Sequence, residues 1–580
     1  MSIPDNTDFF TSLPKFILFL NDYHELTVKK VVGCKNINHS NYIKEFTKQN
    51  LYLYAYNYSM NYKTIEIDKK NGGKRSIDIP SPSLKKIQQY LIIKISDYLI
   101  FNTSKLIKHE YHSKSISFAY KSKHKNVNES AIFLNAYRHK NKNYVLNIDL
   151  KDYFHDITFS RIKGYLQKNK YFKADEEVAK IISNIATYNG RLPQGGALSP
   201  LISNLISETL DYQLSKIARK YKCNYSRYAD DITFSTNKKS FIEKLYSNNK
   251  LSNELESIIK KNGFKINYDK VRLQTNKEKQ IVNGLVVNKK VNISRKKYNE
   301  FRKNIYQLMR ITDSHNNDNL HQEIRQYFGR AQFYIDIITS PKNHFEKINL
   351  NVFTDLKKRF IKEILLLYFA KHFVFNYKTT IFVEGPSDKI IYKKILKGKD
   401  IKGDYDFIYH SPKFFKQIFK DRKSANTGTT FLSQILKIYI NMSDIQFKDQ
   451  NSKPIIFIVD NDSAGKSVIK PFCENGDYFK NGLKAENTDI KSNCFDIQKS
   501  NCFRKLFFIK PKKENATLET FLNGEYKKQK INVQTENNEL KKGEDSKVLS
   551  AKKLHIDSNT NLNNLEHIFE IIKQIENLKR

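Results

Sequence analysis

Ser226-Arg227-Tyr228-Ala229-Asp230-Asp231-Ile232-Thr233-Phe234-Ser235 reads as strand, tight turn, strand. Polar and apolar residues alternate on either side of Ala229-Asp230, and β-branched and aromatic residues follow. A turn needs one Asp or Asn, not two adjacent carboxylates that repel each other. A divalent cation supplies a reason for two. Mg²⁺ takes hard oxygen ligands, one or two carboxylates per site, and leaves its other positions to water and phosphate. An isolated Asp-Asp pair is also what a plain solvated turn looks like, so the surrounding chain has to decide.

Working outward, Tyr144 to Leu150 is an apolar strand that delivers Asp149 to the following loop, a common place for a metal ligand; the nearby Asp152 reads as solvated. Between them and the Asp-Asp turn lies a glycine-rich stretch, Leu192-Pro193-Gln194-Gly195-Gly196-Ala197. Its glycines let another backbone approach closely. A helix follows from Ser199-Pro200, with proline at a position where its missing N–H costs nothing. Further upstream, Ile65 to Asp68 and Ser76 to Pro80 alternate around Gly72-Gly73, which predicts a hairpin with a basic tip, Lys74-Arg75, able to reach over phosphates. A solvated basic turn is the plain alternative. Leu84, Ile87, Leu91 and Ile95 recur at helical spacing and predict a helix over 83–99.

The chain has 580 residues, too many for one core, so several domains are expected. Its formal net charge is +41. Lys, Asn, Ile and Tyr are all abundant, so part of the lysine is background, but a field of this sign attracts polyanions. A membrane partner is not expected. No apolar run reaches the roughly 18 residues of a spanning helix, and the best one, Ile364 to Phe375, is broken by Lys371 and His372. Asp5 and Asp8 precede the first apolar run, unlike a signal peptide. The five cysteines, Cys34, Cys223, Cys473, Cys494 and Cys502, have neither zinc-site nor disulfide spacing, which points to a reducing cytoplasm.

The order of a basic hairpin, a strand ending in Asp, Leu-Pro-Gln-Gly and Tyr-Ala-Asp-Asp resembles the fingers and palm of reverse transcriptases. The resemblance continues at Asn267-Tyr268-Asp269-Lys270 and Gly284-Leu285-Val286, and covers roughly residues 40–340. Asn135-Ala136-Tyr137-Arg138-His139 is similar to the Asn-Ala-x-x-His element of retron reverse transcriptases. One departure is Val282-Asn283-Gly284, where retron enzymes usually carry Val-Thr-Gly. The resemblance implies RNA-directed DNA synthesis from dNTPs on a cognate non-coding RNA. It places two Mg²⁺ ions on Asp149 and Asp230, with Asp231 supporting. Phe154 would lie under the incoming sugar and exclude a 2′-hydroxyl, unless it is a core aromatic. Lys74 and Arg75 would hold the triphosphate and Gln194 would line the nascent pair. Lys270 would donate a proton to pyrophosphate, unless it is a solvated lysine.

From about 289 to 375 the chain is helical and basic. Ser294 is a plausible N-cap for a helix carrying Arg295, Lys296, Lys297, Arg302 and Lys303, with Tyr298, Phe301, Ile305 and Leu308 facing inward. Because it follows the palm, it is expected to be a thumb against RNA.

Composition shifts near Asn376. Thr379 to Val383, Pro454 to Val459 and Leu506 to Ile509 are continuous apolar runs separated by helical segments, the pattern of a parallel sheet covered on both faces. Sites in such sheets lie at the carboxyl ends of the strands, where Glu384, Asp460 and Asp462 fall. Gly465-Lys466-Ser467 is not a P-loop, because Asp460 stands where that motif needs glycine, and Ala464 and Pro471 exclude an EF-hand. Glu384-Gly385-x-x-Asp388, Gly428-Thr429, Asp460-x-Asp462 and Glu519 resemble the Toprim fold of topoisomerases, primases and related nucleases. That resemblance implies an Mg²⁺- or Mn²⁺-dependent nuclease with Glu384 as general acid/base, Asp460 and Asp462 as ligands, and Asp388 and Glu519 in support.

The expected fold class is therefore multidomain α+β and α/β: a right-hand-like fingers, palm and thumb polymerase followed by a Rossmann-like Toprim domain with a parallel sheet. The expected divisions are 1–60 (helical), 61–288 (fingers and palm), 289–375 (thumb and connector), 376–525 (Toprim) and 526–580 (a charged segment and a last helix striped by Leu562, Leu565, Ile568, Ile572 and Ile575). Expected partners are the cognate RNA and its DNA copy, dNTPs, a nucleic-acid target of the Toprim part such as cellular tRNA, and a second copy of the chain. The resemblance implies anti-phage defence. Two alternatives stand beside it: an RNA-binding scaffold with an idle polymerase, and a primase-polymerase that primes with its Toprim part.

Overall fold

In the computed structural model the residues described are 9–22, 45–56, 62–68, 72–102, 110–111, 116–120, 122–123, 129–310, 317–343, 359–376, 378–398, 403–409, 429, 431–433, 435–436, 453, 455–460, 468, 494–497 and 506–509. The chain divides into two compact units, 1–294 and 295–580.

The first unit is built around an antiparallel sheet in the order Lys265–Ile266, Tyr144–Lys151, Asp231–Thr236, Asn224–Tyr228, with Arg272–Thr275 also paired to Tyr144–Lys151. Tyr144–Lys151 is central because it is paired on both edges, and its apolar residues Val145, Leu146, Ile148 and Leu150 are buried. Period-two alternation then sorts the neighbouring hairpin onto two helical layers. Tyr225 and Arg227 point to helix Glu208–Lys220, where both meet Asp211. Ser226 and Ser235 point the other way, to His139 at the end of helix Ala131–Arg138. That helix is started by Ser130, whose Oγ accepts from the Phe133 N–H at 3.3 Å.

The expected hairpin is Tyr62–Asp68 with Lys74–Pro80, and the helix behind it runs Pro82–Asn102. Leu84, Ile87, Leu91 and Ile95 are buried in the core, as their spacing requires. The hairpin docks on the glycine-rich turn: Asp78 N–H donates to Gln194 O at 2.8 Å. A Cβ on Gly195 would lie 2.5 Å from Asp78 O, at a φ of +124° that already excludes most residues, so the close approach depends on that glycine.

In the second unit, helices Arg295–Leu308, Asn317–Ile338 and Arg359–Phe369 come first, the last extended by a π-helical turn Ala370–Val374. Phe301, Ile305 and Leu308 are buried as expected; Tyr298 is only half-buried. A five-stranded sheet follows in the order Tyr405–Ile408, Thr379–Phe382, Ile455–Ile458, Leu506–Ile509, Cys494–Ile497. The first three pairings are parallel and Cys494–Ile497 adds an antiparallel edge. Phe382 stacks between Phe457 at 4.6 Å and Phe373 at 5.7 Å, which seats the π-helical turn on the sheet. Tyr405–Ile408 and Cys494–Ile497 were not anticipated; both are short, and neither carries the long apolar run that marks a central strand. Asp462, Gly428, Glu519 and the C-terminal stripe lie outside the described residues.

Candidate active site

Asp149 and Asp231 are direct cross-strand partners on adjacent central strands, and Leu150 N–H donates to Asp230 O at 3.0 Å. Opposite residues in such a pair project to the same face, so the sheet brings Asp149 and Asp231 together, with Asp230 at the hairpin tip. The turn is two residues long, because Tyr228 pairs with Asp231. Ala229 has φ +57°, a left-handed conformation unfavourable for any residue with a Cβ. Arg227 holds it there: Nη1 donates to Ala229 O at 3.1 Å.

Arg227 is wholly buried. Its Nε and Nη2 donate to the two oxygens of Asp211 at 2.8 and 2.7 Å, and Nη1 also reaches the Tyr153 hydroxyl at 2.9 Å. Nη2 further contacts Ser117 Oγ at 3.3 Å and Asn204 Oδ1 at 3.4 Å. This network was missed from sequence, since Arg227 reads as one more basic residue in a basic chain.

The carboxylates repel one another. Desolvation by the surrounding strands pushes Asp231 up to about 6, although one edge of the side chain stays open to solvent; the charges of Asp230 and Asp149 add to the rise, and a hydrogen bond from Asn283 Nδ2, at 3.1 Å, opposes it. Asp230 is raised by desolvation and by Asp149, and lowered by its own backbone N–H, Lys270 and Arg75. Asp149 is buried and compensated: Asn267 Nδ2 donates to Oδ2 at 3.0 Å and Lys270 Nζ lies 3.1 Å from both oxygens. Among the described residues no three His, Cys, Asp or Glu side chains are drawn close enough to form a metal cage. The donor set nevertheless suits Mg²⁺, which needs only one or two carboxylates beside water and phosphate, and the Lys270 ammonium already stands as a cation on Asp149. Lys270, expected as the proton donor to pyrophosphate, is here an ion-pair partner of Asp149.

The other expected positions fall as follows. Phe154 is half-buried, its ring 5.4 Å from Tyr153 and 6.1 Å from Tyr120. Tyr120 was not anticipated; partial burial and the charge of Asp230 push its phenol up. Arg75 is exposed and within electrostatic reach of Asp230, and Lys74 pairs with Glu66 at 2.8 Å. Gln194 contributes its backbone carbonyl to the docked hairpin. In the second unit, Arg295, Lys296, Lys297 and Lys303 are exposed. Arg302, expected on RNA with these, pairs through its Nε at 3.1 Å with Glu363, which is buried.

At the carboxyl ends of the parallel strands, the Glu384 side chain reaches the backbone of the neighbouring strand end: its Oε1 accepts from the Asp460 N–H at 3.1 Å. Asp388 accepts at Oδ2 from Gly385 N–H at 2.8 Å and at Oδ1 from Ser387 Oγ at 3.2 Å, so it caps the start of helix Pro386–Gly398. A Gly-x-x-Asp spacing just before a helix is the signal that identifies such a cap.

Residues 67–315 match the family described as reverse transcriptase (RNA-dependent DNA polymerase). The chain is 31% identical over 263 residues to the retron Ec86 reverse transcriptase of Escherichia coli, covering 45% of this chain and 74% of that protein. It is 29% identical to the retron Mx162 enzyme and 27% identical to the retron Mx65 enzyme, both of Myxococcus xanthus. Those matches cover 39% and 43% of this chain, and span 47% and 57% of the relatives' own lengths. Among solved structures, a telomerase from Candida albicans in complex with a fragment of telomeric RNA aligns over 60% of this chain and 64% of that one, at 10% identity and a TM-score of 0.30, too loose a likeness to argue from. No described helix is long and apolar enough to cross a membrane. With the paired strands, the Asp-Asp turn and these relatives in agreement, the chain belongs to the retron reverse transcriptase family.

Proposed function

We propose that the protein copies a cognate structured RNA into DNA and that the first unit performs the synthesis. The observation that carries this reading is the cross-strand apposition of Asp149 and Asp231 with Asp230 at the adjoining tip. Asp149 and Asp230 would hold two Mg²⁺ ions, with Asp231 in support. When bound, the ions supply neutralisation of phosphate charge and activation of the primer 3′ oxygen. The chain's own residues do the remainder. Arg75 and Lys74, on the docked hairpin, bind the triphosphate. Phe154 blocks a 2′-hydroxyl. Gln194 and Gly195 set the distance between hairpin and palm. Lys270 leaves Asp149 as the cations enter and becomes available to the triphosphate. The exposed Arg295, Lys296, Lys297 and Lys303 contact RNA phosphates.

On the same reading the product is a branched RNA–DNA molecule that stays bound and restrains the second unit, which acts as a Toprim-type nuclease in anti-phage defence. What supports the nuclease is Glu384 beside Asp460 at the carboxyl ends of parallel strands, a place where α/β sheets carry sites. Asp462 and Glu519 would complete it, with Mg²⁺ or Mn²⁺. Nucleic acid extracted from the purified protein and treated separately with RNase and DNase tests the first part: a covalent RNA–DNA hybrid is expected, absent from the Asp230→Asn/Asp231→Asn variant. RNA alone, equally present in both, refutes polymerase function and leaves a scaffold. Glu384→Gln is expected to keep DNA synthesis and lose effector activity; unchanged effector activity refutes that assignment.

A further inference from the structure

We propose that Asn283 is a positioning residue for the polymerase centre: its side-chain amide fixes the orientation of the Asp231 carboxylate, and Asn135 fixes Asn283. The inference rests on the polymerase reading above.

Asn283 and Gly284 form the two-residue turn between strands Ile281–Val282 and Leu285–Val286. Both are left-handed, with φ +47° and +76°, the conformation of a type I′ hairpin turn, in which Asn-Gly is favoured. A β-branched residue fits such a position poorly. The one departure from the Val-Thr-Gly pattern thus falls on a backbone that suits asparagine, and it brings an amide to the site.

The polarity of that amide is fixed by its neighbours. An ionised carboxylate only accepts, so Nδ2 of Asn283 faces Asp231 Oδ2, at 3.1 Å. Oδ1 is then turned back, and it accepts from Asn135 Nδ2. Asn135 is wholly buried; its Nδ2 is engaged by Asn283, and its own Oδ1 has no hydrogen-bond partner among the described residues.

Asn135 is itself held from below. One helical turn later, His139 lies fully buried between Ser226 Oγ at 2.7 Å and Ser235 Oγ at 2.8 Å, one on each strand of the Asp-Asp hairpin. Asn224 Nδ2 donates to Arg138 O at 2.9 Å, and Asn141 N–H donates to Val287 O at 2.9 Å, beyond the Asn-Gly turn. Side-chain hydrogen bonds thus link the hairpin's Asp231 to Asn283 and Asn283 to Asn135, and the helix backbone from Asn135 to His139 closes the ring on the hairpin serines.

The ring answers a physical need. Asp231 stands between two like charges, Asp230 and Asp149, and is open to solvent on one side. Repulsion would turn its carboxylate outward. A donor on Oδ2 keeps it facing the cluster and leaves Oδ1 for a cation.

The test separates the amide from the turn. Asn283→Gly keeps the left-handed loop, since Gly-Gly is also accepted there, and removes only the side chain. Asn283→Asp keeps the shape and puts a carboxylate against Asp231. Mn²⁺ is titrated into the full-length, RNA-bound protein after removal of divalent ions, with free Mn²⁺ read by electron paramagnetic resonance, and single-nucleotide incorporation is measured in parallel. Asn283→Gly is expected to weaken Mn²⁺ binding several-fold and to lower kcat by about ten-fold with little change in KM for dNTP, the scale of one charge-assisted hydrogen bond. Asn283→Asp should lose more in both. Asn135→Leu should reproduce part of the Asn283→Gly loss. If Asn283→Gly matches the wild type in both readouts, Asn283 is a turn residue and the proposal fails; if that variant does not fold, wild-type behaviour of Asn283→Asp overturns the proposal equally. A wild-type protein that incorporates nothing refutes the polymerase reading instead, and the Mn²⁺ arm still reports on Asn283.

Discussion

Replacing Asp211 by asparagine should damage the active site from about as deep in the protein as a single change can. Arg227 is wholly buried, and Asp211 meets two of its donors and also accepts from the Tyr225 hydroxyl at 2.7 Å. In Asp211→Asn the guanidinium stays charged and loses its counter-charge. Breaking one partner of a buried pair costs about 3–5 kcal/mol; asparagine keeps an oxygen for Tyr225 and Arg227 Nε but sets an NH₂ against Arg227 Nη2, where Asp211 Oδ2 had accepted. The loss is not confined to stability, because the same guanidinium holds Ala229 O in a turn whose left-handed residue costs about 1–2 kcal/mol by itself. The informative comparison is Asp211→Leu/Arg227→Met, which removes both charges. Buried pairs replaced by apolar groups commonly recover most of the stability, but a thioether in place of the guanidinium has no N–H to donate to Ala229 O. Amide hydrogen exchange across residues 224–236 of the full chain, which reads local opening without assuming a two-state transition, should therefore show large loss of protection in the single variant and recovery in the double. Nucleotide incorporation should stay low in both. Exchange changed by less than about 0.5 kcal/mol in Asp211→Asn, or incorporation restored by the apolar pair, would refute the reasoning.

Gly195→Ala should undock the basic hairpin, because the new Cβ would sit 2.5 Å from Asp78 O; KM for dNTP is expected to rise more than kcat falls, as Arg75 loses its position, and an unchanged KM would count against triphosphate binding there. Asp231, held up at about 6 mainly by desolvation and then by Asp230 and Asp149, gives the metal-free chain a stability component complete below the unfolded carboxylate value and lost as pH rises through about 6. Asp231→Asn should accordingly raise the melting temperature of metal-free protein near pH 8 and have little effect near pH 4, and Mg²⁺ should stabilise the wild type more than the variant only at the higher pH. Phe154→Ala should admit ribonucleotides roughly ten-fold or more better relative to dNTPs; undiminished discrimination would make Phe154 a packing residue against Tyr153 and Tyr120.

The elements that carry chemistry were legible because each has a local signature. Tyr144 to Leu150 is a strand by its unbroken apolar run, the Asp-Asp hairpin by alternation around a two-residue turn, and the second sheet by three apolar runs set between helices. Short-range physics fixes such elements, and the order of motifs along the chain then pointed to the polymerase. Tertiary structure decided what the polar residues do. Arg227, Asp211, Asn283 and the Asn135–His139 helix lie on separate elements, and their residues are ordinary in type. Their meaning is pairing: a guanidinium buried on a carboxylate, a neutral imidazole held well below its usual range, at about 3, by burial and by Arg138 and Lys142, and an amide between a catalytic-site carboxylate and a buried asparagine. Lys270, Arg302 and Asp388 acquired neighbours that their sequence positions did not announce, for the same reason. A charged side chain takes the nearest opposite charge or open backbone donor that folding places beside it, and sequence spacing carries the helix or strand it sits on but not that neighbour.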